Sequence, residues 1–119
     1  MSTNFKKRRL EELIKEKIST LFLKGIKDPR LDVFITVLDV TLSKDGRSAR
    51  VSVSVIGSAK ERKAALAGLE SARGYIQMRI GKQIRIKYLP HLIFLLDEST
   101  EERVRFVHRM SEMERRNGE

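Results

Sequence analysis

The 119-residue sequence contains neither cysteine nor tryptophan. The missing cysteine excludes disulfide bridges, thiolate metal sites and a cysteine nucleophile. Glycine-rich phosphate loops of the Walker and Rossmann types are also absent. The two histidines, His91 and His108, have neither metal-ligand spacing nor the partners of a catalytic triad. The residue patterns therefore support no enzyme, no metal centre and no cofactor site.

Long apolar runs are equally scarce. The longest, residues 92–96, is far shorter than the roughly 18 residues of a membrane span. The basic residues 6–9 are not followed by the apolar segment of a secretory signal. We therefore expect a cytoplasmic protein without a membrane span, and 119 residues fit one domain.

Acidic residues are missing from one part of the chain. Residues 71–96 carry five basic and no acidic residues, and residues 1–30 carry a net charge of +5. The whole chain has a formal net charge of +9. Localised positive charge attracts polyanions, of which nucleic acid is the most common. Two other interpretations of the positive charge stay open at this point: the partner is an anionic membrane surface, or the protein is basic and has no polyanionic partner.

The apolar patterns of the first half predict a helix followed by two strands. Residues 10–25 repeat with helical spacing and end at a glycine. Residues 33–42 and 49–55 predict two strands joined by a Ser-Lys-Asp-Gly turn as an antiparallel hairpin. The apolar alternation of the first strand changes phase after Val37, which indicates a bulge or burial on both faces.

A second helical stretch follows the hairpin. One apolar stripe runs through two short helices, about residues 60–72 and 75–82, which meet at Ala72 and Gly74. Glycine inside a helix costs up to about 1 kcal/mol relative to alanine, and it permits a kink or a close approach of another backbone. Ala72 and Gly74 are therefore the predicted structural kink.

Two further elements complete the prediction. Residues 83–96 predict a third strand, in which Pro90 marks an edge position or an irregularity. A Ser-x-x-Glu capping box predicts a C-terminal helix over residues 100–114, with only a thin apolar stripe. We divide the chain into a domain of residues 1–97 and a helical extension of residues 98–119. Because the apolar stripe of the extension is thin, we expect part of this extension to be frayed or disordered.

Cations around the kink, together with the N-terminal basic run, are the candidate RNA contacts. Lysine and arginine neutralise phosphates, and a glycine allows an RNA backbone to approach closely. The alternatives are a solvated basic face and, for the N-terminal run, a disordered arm. Because most of the seven aromatic residues fall in apolar patterns, recognition of RNA backbone and shape is favoured over base-by-base reading. The candidate RNA-binding residues are Lys7, Arg8, Arg9, Arg73, Gly74, Arg79, Lys82, Arg85 and Lys87.

The order of elements, α-β-β-α-(kink)-α-β, resembles the type II K-homology (KH) domain. The Gly-x-x-Gly loop of that domain is absent, and Ala72-Arg73-Gly74 stands in its place. This replacement resembles ribosome-binding factor A, a family of bacterial small-subunit maturation factors. Other stretches similar to that family are Arg8-Arg9-Leu10, Asp28-Pro29-Arg30, Ile35-Thr36-Val37, Ala49-Arg50-Val51, Gly74-Tyr75-Ile76 and Leu89-Pro90-His91.

The resemblance implies a KH-like α+β domain with a three-stranded mixed sheet, helices on one face and a C-terminal helical tail. It also implies binding to free 30S subunits or their precursors, with contacts to 16S rRNA near the decoding region. Such a protein would promote late rRNA folding and end maturation without catalysis, support growth in the cold, and leave with the help of a maturation GTPase. No cofactor or small-molecule substrate is implied, and we expect a monomer.

Two other functions remain open from the sequence. A generic KH-like RNA-binding translation protein would bind isolated RNA and need no ribosomal subunit. A protein-interaction module would use an exposed sheet edge, and its binding would depend only weakly on salt.

Overall fold

The first helix extends further than its apolar repeat. In the computed structural model, which describes residues 2–97, helix α1 spans Ser2–Lys24. Its buried side chains include Ile14, Ile18 and Leu21, which recur at helical spacing. The predicted end is confirmed, because Gly25 adopts a φ of 89°, a left-handed conformation that glycine enters without steric cost.

The predicted hairpin is confirmed. Strands β1 (Phe34–Leu42) and β2 (Ser48–Ile56) pair antiparallel. The register shifts between Val37 and Asp39, so Leu38 is the extra residue of a bulge. The bulge returns the apolar residues after it to the core face, which explains the change of phase in the sequence.

The helix pair after the hairpin is also confirmed, as α2 (Ala59–Ser71) and α3 (Arg73–Gly81). Ser58 caps α2, because its hydroxyl accepts from the Glu61 N–H while the Glu61 carboxylate accepts from the Ser58 N–H. A single buried stripe runs through both helices, as expected. It comprises Ala65, Leu69, Ile76 and Ile80.

The third strand is shorter than predicted. Strand β3 spans only His91–Leu96, and residues 82–90 form an irregular loop. Apolar alternation suggested a strand from residue 83, but in the loop Ile84 is buried while Ile86 and Tyr88 are exposed. The loop completes the crossover through α2 and α3 that joins β2 to its parallel partner β3.

Gln77 of α3 fastens the loop to the start of β3. Its Nε2 donates to the Pro90 carbonyl oxygen at 2.7 Å, and its Oε1 accepts from the Leu92 N–H at 3.2 Å. Because β3 is an edge strand, the side chain of Gln77 supplies hydrogen bonds that a further strand would otherwise supply. This pair of bonds fixes which side of α3 faces the strand.

The three strands form one mixed sheet in the order β1-β2-β3. Buried side chains of α1, α2 and α3 pack with those of the strands into one core on one face of the sheet. This is the type II KH-like arrangement that the resemblance implied. The C-terminal helix predicted for residues 100–114 lies outside the described residues. None of the helices within residues 2–97 is both long enough and apolar enough to cross a bilayer.

Candidate nucleic-acid interface

The kink between α2 and α3 leaves an uncovered stretch of backbone. Ala72 links the two helices with a φ of −86° and a ψ of 0°. Gly74, in the first turn of α3, is exposed, and a Cβ added there would meet no atom within 4 Å. Gly74 also lies outside the left-handed region, so neither packing nor backbone conformation requires glycine at this position. A partner can therefore approach its backbone directly.

Two grooves show that α3 runs antiparallel to α1. Near the kink, Ala72 and Tyr75 line one groove together with Gly25 and Lys27, which follow the end of α1. After the end of α3, residues 83–86 line a second groove with side chains from the N-terminal half of α1. We call the first the kink groove and the second the basic groove. We use the name α1/α3 surface for the side of the molecule that runs along α1 and α3 and contains both grooves.

The basic groove brings together cations that are far apart in the chain. Arg8 and Arg9 of α1 line it together with Arg85 of the loop after α3. The two basic stretches identified in the sequence therefore meet at one site. Two carboxylates, Glu12 and Glu16, also line this groove and offset part of its charge.

Charges on the α1/α3 surface are not neutralised by ion pairs within the described part of the chain. None of the predicted RNA-binding lysines and arginines has a carboxylate oxygen within 4.0 Å in residues 2–97. Arg30 and Asp28, by contrast, form an ion pair at 2.7 Å. Unpaired exposed cations are available to phosphates. They are Arg8, Arg9, Lys82, Arg85 and Lys87, whereas Arg79 is half-buried and its Nε is buried without a hydrogen-bond partner in residues 2–97.

Two of the predicted contacts project away from the basic groove. Arg73 precedes Gln77 by four residues, so it projects from the side of α3 that faces β3. Lys7 precedes Glu11 by four residues, and Glu11 accepts from the Leu42 N–H at 2.8 Å, so Lys7 projects toward the hairpin. The predicted set is therefore split, and the groove itself is formed by only part of it.

Asp28, the first residue of the Asp-Pro-Arg turn, lines the kink groove. Asp28 accepts hydrogen bonds from the Arg30 guanidinium at 2.7 and 3.0 Å and from the Arg30 N–H at 3.0 Å. These bonds hold the pKa of the Asp28 carboxyl below its usual value, so this carboxylate remains charged in mildly acidic solution. The turn packs against α2 at Gly68, where an added Cβ would lie 3.1 Å from Leu31.

Several groups at this surface were not identified from the sequence. Lys27 lines the kink groove, and three exposed aromatic rings each lie near a predicted cation. The spacing of Phe5 and Arg9 and of Tyr75 and Arg79, four residues each, would have indicated two of these contacts. No group of three or more potential metal ligands occurs within residues 2–97.

Comparison with known sequences gives one consistent result. The family model described as "Ribosome-binding factor A" matches residues 6–110. The ribosome-binding factor A of Dictyoglomus thermophilum is 43% identical over 105 residues, which cover 88% of each chain. That of Halothermothrix orenii is 49% identical over 94 residues, covering 79% of this chain and 76% of the relative.

Solved structures agree with the sequences. The crystal structure of ribosome-binding factor A from Thermus thermophilus superposes with a TM-score of 0.65 and 31% identity, covering 76% of this chain and 94% of that one. A homology model of the Thermus thermophilus factor, fitted into a cryo-EM map of a 30S complex, gives a TM-score of 0.57 and 29% identity. The match covers 78% of this chain and 92% of the fitted one. The chain therefore belongs to the ribosome-binding factor A family.

Proposed function

We propose that this protein binds free 30S subunits or their precursors and promotes late folding and end maturation of 16S rRNA, without itself catalysing a reaction. The observation that carries the proposal is the meeting of Arg8 and Arg9 with Arg85 in one groove, in a chain of this family. A related factor has been fitted into a map of its complex with the 30S subunit, which supports the same partner here.

Binding energy alone can account for such a role. Each cation that contacts a phosphate releases a condensed counterion, which favours association at low salt. A rigid protein surface that fits one conformation of flexible rRNA shifts the population toward that conformation. Arg8, Arg9, Arg79, Lys82 and Arg85 would provide the phosphate contacts, and Gly74 would allow the RNA backbone to reach α3.

Of the nine proposed contacts, Arg8, Arg9 and Arg85 line the basic groove, and the other six lie outside it. Lys7 faces the hairpin and Arg73 faces β3, whereas Lys87 lies in the loop before β3. We propose that they contact RNA segments that run beyond the groove. The remaining expectations are that the protein acts in the cytoplasm as a monomer and that a maturation GTPase helps to release it.

The partner can be tested by co-sedimentation. Purified protein is mixed with small subunits, large subunits or free rRNA and pelleted at two salt concentrations. We expect binding to small subunits that weakens strongly as salt rises, because phosphate contacts dominate. Equal binding to large subunits would exclude the proposed function, and equal binding to free RNA would favour the generic KH-like alternative. Binding that does not depend on salt would favour a protein-interaction module.

The surface can be tested with a triple variant. We expect Arg79→Ala, Lys82→Ala and Arg85→Ala together to weaken small-subunit binding by about tenfold or more and to reduce the salt slope by about 2 to 3. The matched control replaces Lys44, Lys60 and Lys63 by alanine, which removes the same charge from exposed sites outside both grooves. Equal loss in both variants would show that net charge, and not this surface, determines binding.

A further inference from the structure

Several aromatic rings in residues 2–97 are exposed, and the phosphate contacts proposed above give them no role. Phe94 is buried and Phe22 is partly buried, as their apolar patterns predicted. Four other rings are exposed instead, with 64% of Phe5, 72% of Phe34, 44% of Tyr75 and 79% of Tyr88 accessible to solvent.

Three of these four rings share a second property. A cation lies over each of them, with Arg9 at 5.7 Å from the centre of Phe5, Arg79 at 6.0 Å from Tyr75, and Lys87 at 5.6 Å from Tyr88. All three cations belong to the set predicted to contact RNA. Phe34 lies in β1, at the edge of the sheet opposite β3, and no cation within residues 2–97 lies over its ring.

The location of the three rings places them beside the proposed phosphate contacts. Phe5 lines the basic groove together with Arg85. Tyr88 lies in the same loop as Arg85, and Tyr75 lines the kink groove together with Lys27. The rings are therefore distributed along the α1/α3 surface and the loop that follows it.

A ring paired with a cation on one side still has a second face and an edge available to a ligand. Stacking of a nucleic-acid base on an aromatic ring tolerates any base, because every base has a π-face. A cation close to the ring adds attraction for the neighbouring phosphate. The combination of exposed ring and unpaired cation suits an unpaired nucleotide better than a duplex, whose bases are already stacked on one another.

We propose that Phe5, Tyr75 and Tyr88 stack against unpaired bases of RNA, while the cations beside them contact the phosphates. This inference rests on the proposed function and specifies its ligand as single-stranded RNA. It agrees with the expectation from the sequence that RNA is not read base by base, and it adds stacking to the phosphate contacts. Because stacking does not read base identity, the rings hold single-stranded segments without selecting their sequence.

Tyrosine fluorescence offers a direct test, because the chain has two tyrosines and no tryptophan. The full-length variants Tyr75→Phe and Tyr88→Phe each leave one fluorescent tyrosine and keep both rings. The probes are a 12-nucleotide oligoadenylate and a 12-base-pair RNA duplex, each titrated at low salt to about 100 µM, within the range of nonspecific affinities. We expect the single strand to quench each remaining tyrosine and the duplex to leave both unchanged.

Affinity for the small subunit provides an independent readout. We expect Tyr88→Leu to weaken binding by roughly 5- to 140-fold, the range that base stacking on one ring contributes. The slope of log affinity against log salt should stay unchanged, because no phosphate contact is lost. Phe34→Leu is the matched control, since it removes an equally exposed ring without a neighbouring cation, and its affinity should match the wild type.

Failure of this inference can be told apart from failure of the proposed function. Absence of quenching together with wild-type affinity of Tyr88→Leu would overturn stacking, even if the triple cation variant binds poorly. An equal loss in Phe34→Leu, or a changed salt slope in Tyr88→Leu, would also overturn it. If the rings instead contact a ribosomal protein, Tyr88→Leu loses affinity for subunits while oligoadenylate quenches neither tyrosine, which likewise excludes the proposal.

Discussion

At the scale of single residues, Gly68 and Gly74 have opposite surroundings although both lie in helices. Gly68 is buried, and a Cβ there would lie 3.1 Å from Leu31 Cδ2 and 3.2 Å from Arg30 Cβ. Gly74 is exposed, and a Cβ there would meet nothing within 4 Å. Glycine at position 68 is therefore explained by packing, whereas no contact within residues 2–97 explains glycine at position 74.

We expect the two glycine-to-alanine variants to separate stability from binding. Gly74→Ala should leave the free energy of unfolding unchanged or raise it by up to about 1 kcal/mol, because alanine favours helix. It should nevertheless weaken small-subunit binding. Gly68→Ala should lower stability by about 1 kcal/mol, because crowding against the Asp-Pro-Arg turn exceeds the gain in helix propensity. Urea unfolding and co-sedimentation measure the two properties.

The outcome for Gly74→Ala decides its role. If this variant binds small subunits as tightly as the wild type, the proposed approach of RNA backbone at the kink is wrong. If it unfolds more easily than the wild type, the side of α3 at Gly74 is more crowded than the contacts described above indicate.

At the scale of elements, the start of α2 depends on one carboxylate. The Glu61 carboxylate accepts from the Ser58 N–H at 3.0 Å, and this bond lowers the pKa of Glu61 below its usual value of 4.5. A carboxyl whose pKa is lower in the folded state stabilises the fold above its unfolded pKa. That contribution is lost as the pH falls through the lowered folded value.

We expect Glu61→Gln to flatten the acid side of the stability profile. The amide oxygen still accepts from the Ser58 N–H, so α2 should remain capped, but the side chain no longer titrates. The urea midpoint should therefore fall less steeply than in the wild type as the pH drops below 4.5, the usual pKa of this group. Glu70→Gln is the control, because the Glu70 side chain forms no hydrogen bond within residues 2–97. An equal flattening in both variants would contradict the assignment.

Most elements follow from local patterns in the sequence. The helical repeat around Ile14 and Ile18, the β-branched residues of the hairpin, and the stripe through Leu69 and Ile76 each identify one element. Residues 83–90 were wrongly predicted as strand, because Ile84, Ile86 and Tyr88 alternate as strand residues do. Their alternation has no partner strand, since the chain is there crossing from α3 to β3.

At the scale of the whole molecule, the described core lies between Ile14 and Phe94. All three strands and the helices packed on them fall within residues 2–97. We propose that residues 1–97 form the folding unit and that residues 98–119 are an extension. This division is independent of the function assigned to the α1/α3 surface.

We expect a chain that ends after Asp97 to fold without the extension. It should unfold in a single cooperative transition in urea, because every element of the core described within residues 2–97 is present. Far-ultraviolet circular dichroism and near-ultraviolet spectra recorded during unfolding should change together. A chain of residues 1–97 that unfolds without cooperativity, or is unfolded in buffer, would show that the extension belongs to the domain.

The sequence by itself determined most of the elements, the change of phase after Val37, the kink at Ala72 and the two basic stretches, because each is encoded by residues close together in the chain. Only the tertiary structure decided that Arg8 and Arg9 meet Arg85, that Arg73 faces β3, and that the rings of Phe5, Tyr75 and Tyr88 remain exposed. These relations depend on how α3 packs antiparallel to α1 and on a parallel third strand. Packing between distant segments has no local signature, since periodicity identifies the buried face of an element but not its neighbour.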